Sequence, residues 1–139
     1  MTCLVIPADL IHLIHAHGEL AYPEEGAGFL LGKPGQVMDI LPLDNARESE
    51  ARRNRYLITP ADYVHAEVSA EERGLDLIGV FHSHPDHPSR PSDFDREWAQ
   101  PFFSYIITSV KAGMAAGSRS WRLVEDRPQF VEEEIEIKP

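Results

Sequence analysis

Residues 75–82, with the sequence LDLIGVFH, constrain the fold of this chain more than any other segment. Only Asp76 interrupts the apolar residues that precede His82. Side chains alternate between the two faces of a strand, so a strand that is apolar at nearly every position has to be covered on both faces. The segment therefore predicts the central strand of a sheet with a packing layer on each side.

The rest of the chain alternates between helical and strand patterns. One helix is predicted to begin at Pro7 and to be bounded by Gly18 and Pro23, and another to run from its cap at Thr59–Pro60 to Gly74. The other predicted segments are strands at 29–31, 37–43, 56–58, 75–82, 104–110, 121–124 and 130–137, a short helix at 92–98, and loops at 44–55 and 111–118. Because helices and strands interleave, we expect an α/β fold with a mixed β-sheet flanked by helices on its faces.

Length and composition narrow the class of protein. With 139 residues, the chain has the size of one domain, so we expect residues 1–139 to form a single domain. The 13 basic and 23 acidic residues give a net charge of −10, which argues against nucleic-acid binding because that binding neutralises phosphates. No apolar run approaches the roughly 18 residues of a membrane span, and the N-terminus lacks a signal-peptide pattern. Cys3 is the only cysteine, which excludes an internal disulfide and favours the cytoplasm.

The segment that carries chemistry is 79–95, GVFHSHPDHPSRPSDFD. His82 and His84 are two residues apart at the end of the predicted central strand, so both imidazoles lie on one face. Asp95 lies one turn into the short helix that begins at Ser92, and from there its carboxylate can turn back toward the histidines. Two histidines and a carboxylate leave a fourth tetrahedral position open, which is the layout of a catalytic zinc site. Ser92 and Asp95 also match an ordinary helix cap, and the two roles are compatible.

Residues 82–95 have the pattern H-x-H-P-x6-S-x-x-D, which resembles the motif of the JAMM (MPN+) metalloprotease family. The upstream segment YPEEGAGFLLGK resembles the second motif of that family at Pro23, Glu25, Ala27, Gly28 and Leu30. Ala27 stands where many members have a cysteine, at a position that we interpret as packing. The chain is most similar to the short, free-standing prokaryotic members. This resemblance implies an MPN architecture, which is similar to that of cytidine deaminases.

The resemblance also implies a reaction and the residues that perform it. The implied ligands of one zinc ion per chain are His82, His84 and Asp95. Glu25 would act as the general base and then as the acid, with the adjacent Glu24 as the competing choice, and Ser92 would donate a hydrogen bond to the tetrahedral oxyanion. The implied reaction is hydrolysis of a peptide or isopeptide bond after the Gly-Gly C-terminus of a ubiquitin-like protein, above all a prokaryotic sulfur carrier.

Two other interpretations stay open at the level of sequence. A non-catalytic MPN scaffold that binds partner proteins would share the fold, although such domains usually lack the metal ligands that are present here. A small cupin also presents two histidines from a strand, but it requires a glutamate where this chain has Pro88 and Ser89. We expect His87 at the rim of the site rather than as a third imidazole ligand. The arginine-rich loop 44–55 could steer an acidic carrier, and no sequence feature indicates the oligomeric state.

Overall fold

The fold is known from a computed structural model that describes residues 3–43, 58–93, 95, 99–123 and 129–139. Within these ranges, nine elements follow one another along the chain. They are β1 (Cys3–Pro7), α1 (Ala8–Ala21), β2 (Ala27–Lys33), β3 (Gln36–Leu43), α2 (Pro60–Glu72), β4 (Asp76–Pro85), β5 (Ser104–Lys111), β6 (Met114–Leu123) and β7 (Phe130–Lys138).

The seven strands form one mixed sheet in the order β1-β3-β2-β4-β5-β6-β7, and the sheet closes on itself. Strands β4 and β5 are parallel, as are β1 and β7, whereas β2 pairs with β3 and β4 in antiparallel fashion. Within the described residues, the strands β1 and β3 that close the sheet pair at a single position, where Val5 lies opposite Gln36. The predicted mixed sheet is confirmed, and its closure into a barrel is a feature that strand patterns do not show.

The two helices cover opposite faces of the central strands. One cluster of buried side chains packs around α1 and includes Leu30, Phe81 and Ile106 from three neighbouring strands. The residue before each of these points to the other face, where α2 covers a second cluster containing Phe29, Val80 and Tyr105. Because side chains alternate along β2, β4 and β5, each face of the sheet has an apolar cluster that one helix covers, as the sequence predicts.

Strand β4 extends three residues beyond the predicted end at His82. It pairs in parallel with β5 at every position from Gly79 opposite Ser104 to Pro85 opposite Val110. His82 and His84 therefore belong to the central strand itself rather than to a loop after it. Both histidines start from a rigid backbone, which fixes the direction of their side chains.

Three local predictions need correction or lie outside the described residues. Gly18 does not bound the first helix but lies inside α1, where a Cβ atom would come within 3.1 Å of the Ser83 side chain. Residues 111–118 are not a loop, because Ala112 and Gly113 alone form the turn between β5 and β6. Both turn residues have positive φ, at 50° and 83°, as two-residue hairpin turns require. The predicted loop 44–55 lies outside the described residues, as do most of the predicted strand 56–58 and the end of the helix 92–98.

Neither of the two helices in the described part of the chain is long and apolar enough to span a membrane.

We predict that Gly79→Ala destabilises the protein by about 1–3 kcal/mol, because the central strands leave no room for a side chain there. A Cβ atom on Gly79 would lie 2.0 Å from the backbone carbonyl oxygen of Ser104 in the neighbouring strand. Urea unfolding measures the loss. Gly18→Ala is the matched control, since its Cβ would meet side-chain carbons at 3.1 and 3.2 Å and alanine favours the helix, so its loss should be smaller. Equal stabilities of Gly79→Ala and the unmodified protein would contradict this packing.

Candidate active site

His82 and His84 lie side by side on the face of β4 that α2 covers, close to the end of the strand. Their exposed fractions are only 1% and 7%, and their ring centroids are 5.0 Å apart. The Nδ1 atom of His84 lies 2.8 Å from the carbonyl oxygen of Pro88. A carbonyl only accepts hydrogen bonds, so Nδ1 of His84 carries a proton, and Nε2 is the nitrogen that faces the site. Such an outer hydrogen bond is typical of histidines that bind metal.

Asp95 completes a cluster with the two histidines. Its Oδ1 atom lies 3.6 Å from Nε2 of His82, and its Oδ2 atom lies 3.2 Å from Nε2 of His84. The carboxylate is held in place by a reciprocal pair of hydrogen bonds with Ser92: the Ser92 amide donates to Oδ2 at 2.8 Å, and the Asp95 amide donates to the Ser92 hydroxyl at 3.1 Å. This is a capping box, so the helix cap and the side-chain cluster are the same arrangement.

Glu25 reaches the cluster from the segment between α1 and β2. It is 4% exposed, and its Oε1 atom lies 3.6 Å from Nδ1 of His82. The residue after it, Gly26, is bound to β4 twice: the Ser83 amide donates to the Gly26 carbonyl at 2.9 Å, and the Gly26 amide donates to the Ser83 hydroxyl at 2.8 Å. Of the adjacent pair of glutamates, the carboxylate beside His82 is thus that of Glu25, and Glu24 is half-buried.

The cluster has the dimensions and the chemistry of a metal site. Ligand atoms of Glu25, His82 and His84 all lie within 4.8 Å of one another. Around a tetrahedral zinc ion with bonds of 2.0–2.1 Å, neighbouring ligand atoms are about 3.3–3.4 Å apart. The separations of 3.2 and 3.6 Å between Asp95 and the two Nε2 atoms bracket this value. Two imidazoles with one or two carboxylates are donors that suit zinc, so the residues fit this ion.

The electrostatics of the cluster tie Asp95 to the histidines. Burial by itself would raise the pKa of Asp95, but the nearby His82 and the hydrogen bonds from His84 and the Ser92 amide lower the pKa to about 2. Burial by itself would lower the pKa of His84, but its hydrogen bond with Asp95 and the charge of that carboxylate raise it. Without a metal, Asp95 and His84 therefore stabilise each other's charged forms.

A cavity of about 390 Å³ opens next to this cluster, and Glu25, His84 and Ser92 contribute to its wall. Ser92 itself is exposed toward it. His87 is exposed and lines the same cavity, while its backbone oxygen accepts a hydrogen bond from the Ser109 hydroxyl at 2.7 Å. The structure thus places His87 at the rim, as the sequence predicts.

Asp86 is a structural residue that the sequence analysis did not single out. Its Oδ2 accepts a hydrogen bond from the Tyr22 hydroxyl at 2.6 Å, and its Oδ1 accepts one from the Ala112 amide at 2.9 Å. It thereby joins the segment before Glu25 to the turn between β5 and β6. Its φ of 57° is a conformation that aspartate tolerates better than most residues. This tolerance of aspartate is the only sign of the role of Asp86 that the sequence contains.

We predict that Asp95→Asn destabilises the metal-free protein most between pH 3.8 and pH 6.5, the ordinary pKa values of aspartate and histidine. The lowered pKa of Asp95 contributes stability that is present above pH 3.8 and is lost as the pH falls toward 2. The raised pKa of His84 contributes stability that is present below pH 6.5 and is lost as the pH rises through the raised value. Urea unfolding with a chelator at about pH 3, pH 5.5 and pH 8 measures the difference. Asp93→Asn, at an exposed position nearby, is the control, and a pH-independent difference would contradict the pairing.

Comparison with known proteins identifies the family. The family model described as prokaryotic homologs of the JAB domain matches residues 7–124. A protein of Thermus thermophilus named a probable TtuB-protein conjugate cleaving protease is 31% identical over 112 residues, which cover 78% of this chain and 74% of the relative. The CysO-cysteine peptidase of Mycobacterium tuberculosis is 27% identical over 125 residues, which cover 88% of this chain and 84% of the relative.

A solved structure supports the same assignment at the level of the fold. The JAB1/MPN domain protein of Archaeoglobus fulgidus superimposes with a TM-score of 0.63, covering 98% of this chain and 97% of that protein at 18% identity. This agreement confirms the MPN architecture that the two sequence motifs imply, and it contradicts the cupin interpretation, which requires a different fold. The chain belongs to the prokaryotic JAB-domain family and has the JAB1/MPN fold.

Proposed function

We propose that this protein is a zinc-dependent hydrolase that cleaves the amide bond after the Gly-Gly C-terminus of a ubiquitin-like protein, above all a sulfur carrier. The observation that supports the proposal most directly is the convergence of Asp95 on His82 and His84, with a second buried carboxylate, Glu25, on the other side of His82. A structural metal site would use every donor as a ligand and would be closed, whereas this cluster adjoins a cavity.

The proposed zinc ligands are His82, His84 and Asp95. When bound, zinc lowers the pKa of a water molecule and polarises the carbonyl of the bond to be cleaved. The hydrogen bond from His84 to the Pro88 carbonyl and the hydrogen bond from the Ser92 amide to Asp95 hold two of these ligands in the orientation that binding needs.

Glu25 is the proposed general base and acid. It would accept a proton from the attacking water and deliver it to the nitrogen of the leaving amine as the C–N bond breaks, so that one water is consumed for each bond cleaved. Its burial beside His82 suits this role, because a carboxylate in a site that excludes bulk water keeps the proton for the leaving group.

Ser92 is the proposed donor to the oxyanion. Its oxygen accepts the hydrogen bond from the Asp95 amide, so the hydroxyl proton stays available to point into the adjacent cavity. A donor whose oxygen is already held in place in the free enzyme needs little reorganisation to stabilise developing negative charge.

The proposed substrate class rests on the relatives and on the resemblance of the motifs. One relative is named for cleaving a TtuB–protein conjugate and the other for acting on CysO-cysteine, so the two names describe different groups joined to a protein. We take the shared part to be a ubiquitin-like carrier with a Gly-Gly tail. We further propose a cytoplasmic location, since the single cysteine leaves no internal disulfide to need an oxidising compartment.

The proposal predicts about one zinc ion per chain and cleavage of CysO-cysteine or a TtuB conjugate that a chelator abolishes. Elemental analysis of the purified protein measures the metal, and mass spectrometry of the released carrier measures cleavage. Restoration of cleavage by added zinc is the control for damage by the chelator. Cleavage that survives complete metal removal would overturn the mechanism, and a metal-free protein that binds carriers without cleaving them would favour the scaffold interpretation.

Variants of two residues separate metal binding from proton transfer. We predict that Glu25→Gln keeps zinc and lowers kcat by about 10²–10⁴-fold, because the amide preserves the shape of the side chain but cannot accept the proton. In contrast, His84→Ala should lose both zinc and activity, because it removes a ligand. Glu24→Gln is the matched control and should retain activity. Full activity of Glu25→Gln would show that another group acts as the base.

A further inference from the structure

A second cavity adjoins the one beside the metal cluster, and its wall is positively charged. This cavity of about 200 Å³, which we call the basic groove, is lined by Arg90, Lys111 and Arg119 among other residues. Pro88 and Arg90 line both cavities, so the basic groove shares part of its wall with the cavity beside the cluster of His82, His84 and Asp95.

The positive charge of the groove contrasts with the rest of the protein. The whole chain has a net charge of −10, yet no carboxylate is among the lining residues of the groove. Within the described ranges, Arg90 and Lys111 form no ion pair, and Arg119 has only a distant one, with its Nε atom 4.0 Å from Glu132. Arg119 also lines a neighbouring cavity with several glutamates, so Arg90 and Lys111 supply most of the positive charge, which favours an anionic ligand in the groove.

We propose that Arg90, supported by Lys111 and Arg119, binds the free α-carboxylate of the group that the enzyme releases. This inference rests on the proposed function. In a carrier joined to a single amino acid, the α-carboxylate is two bonds from the nitrogen of the cleaved amide, so it lies next to the metal cluster during the reaction. The guanidinium of Arg90, which lines the cavity at that cluster, can hold a carboxylate with two parallel hydrogen bonds.

The other substrate classes offer no charge at this position. When the carrier is joined to a longer polypeptide through its α-amino group, the corresponding carbonyl belongs to a peptide bond and is neutral. When the carrier is joined to a lysine side chain, the atoms at this position are uncharged methylene groups. The Gly-Gly tail itself is neutral as well. Acidic side chains on the folded body of a carrier are a poor alternative, because a cavity of about 200 Å³ admits a chain end rather than a protein surface. The groove therefore favours carriers that end in one added amino acid.

The test compares two substrates that differ only in this charge: the CysO carrier extended by one cysteine as the free acid, and the same adduct as the α-carboxamide. We expect kcat/KM of the wild-type enzyme to be about tenfold or more higher for the acid, as charge-assisted hydrogen bonds predict. In Arg90→Gln the preference should fall to near one, through a loss on the acid alone. Arg90→Lys should retain part of the preference, because it keeps the charge but not the paired hydrogen bonds.

The control for a change in charge is Lys33→Gln. Lys33 is the last residue of β2, whereas Ala27, which pairs with His82, is the first residue of that strand. Removing the charge of Lys33 should therefore leave the preference for the acid unchanged. Equal rates on the acid and the carboxamide in the wild type would overturn the proposal. Equal slowing of both substrates by Arg90→Gln would also overturn the proposal. If neutralising acidic side chains of the carrier had the same effect, the groove would bind the carrier body instead. Failure to cleave any adduct would instead count against the proposed function.

Discussion

The pairing of Gly26 with Ser83 is the contact on which the candidate site depends. The hydrogen bond from the Ser83 amide to the Gly26 carbonyl continues the ladder between β2 and β4 by one residue, next to Ala27 and its partner His82. The Gly26 amide donates a second hydrogen bond to the Ser83 hydroxyl. Ser83 is buried and stands between the two histidines, with its side chain on the opposite face of the strand. Because a buried amide without its acceptor costs about 1–3 kcal/mol, this pairing holds the register firmly. The carboxylate of Glu25, one residue earlier, is carried to His82 as a consequence.

Close packing behind the site makes that pairing possible. A Cβ atom on Gly26 would lie 2.8 Å from the His17 ring, and one on Gly18 would lie 3.1 Å from the Ser83 side chain. Helix α1 therefore approaches β4 closely enough to support it from the face opposite to the histidines. On the face of the metal cluster, the carboxylate of Asp95 comes from a helix start whose cap holds it in place. The candidate donors thus belong to three separate segments. Hydrogen bonds within each segment or to a neighbouring segment hold these segments in place.

The sequence was informative where local chemistry decides the structure. The apolar run in β4, the helix start at Thr59 and Pro60, and the cap at Ser92 and Asp95 all depend on neighbours within a few residues, and they form as such patterns predict. It was misleading where small residues have two uses. Gly18 looks like the end of a helix but serves as a point of close contact, and the glycine- and alanine-rich start of β6 looks like a loop. In both cases the deciding partner is far away along the chain.

The sequence by itself indicated the candidate donors: two histidines on one face of a strand, a carboxylate in a helix cap and a glutamate upstream. Tertiary structure alone decided that Glu25 rather than Glu24 lies beside His82. It also decided that Arg90 lines both the basic groove and the cavity beside the histidine and carboxylate cluster. The physical reason is the range of the interactions. A periodic pattern or a cap acts over a few residues. In contrast, Glu25 reaches His82 because Gly26 pairs with Ser83, 57 residues away along the chain, and the basic groove brings Arg90 together with Lys111 and Arg119.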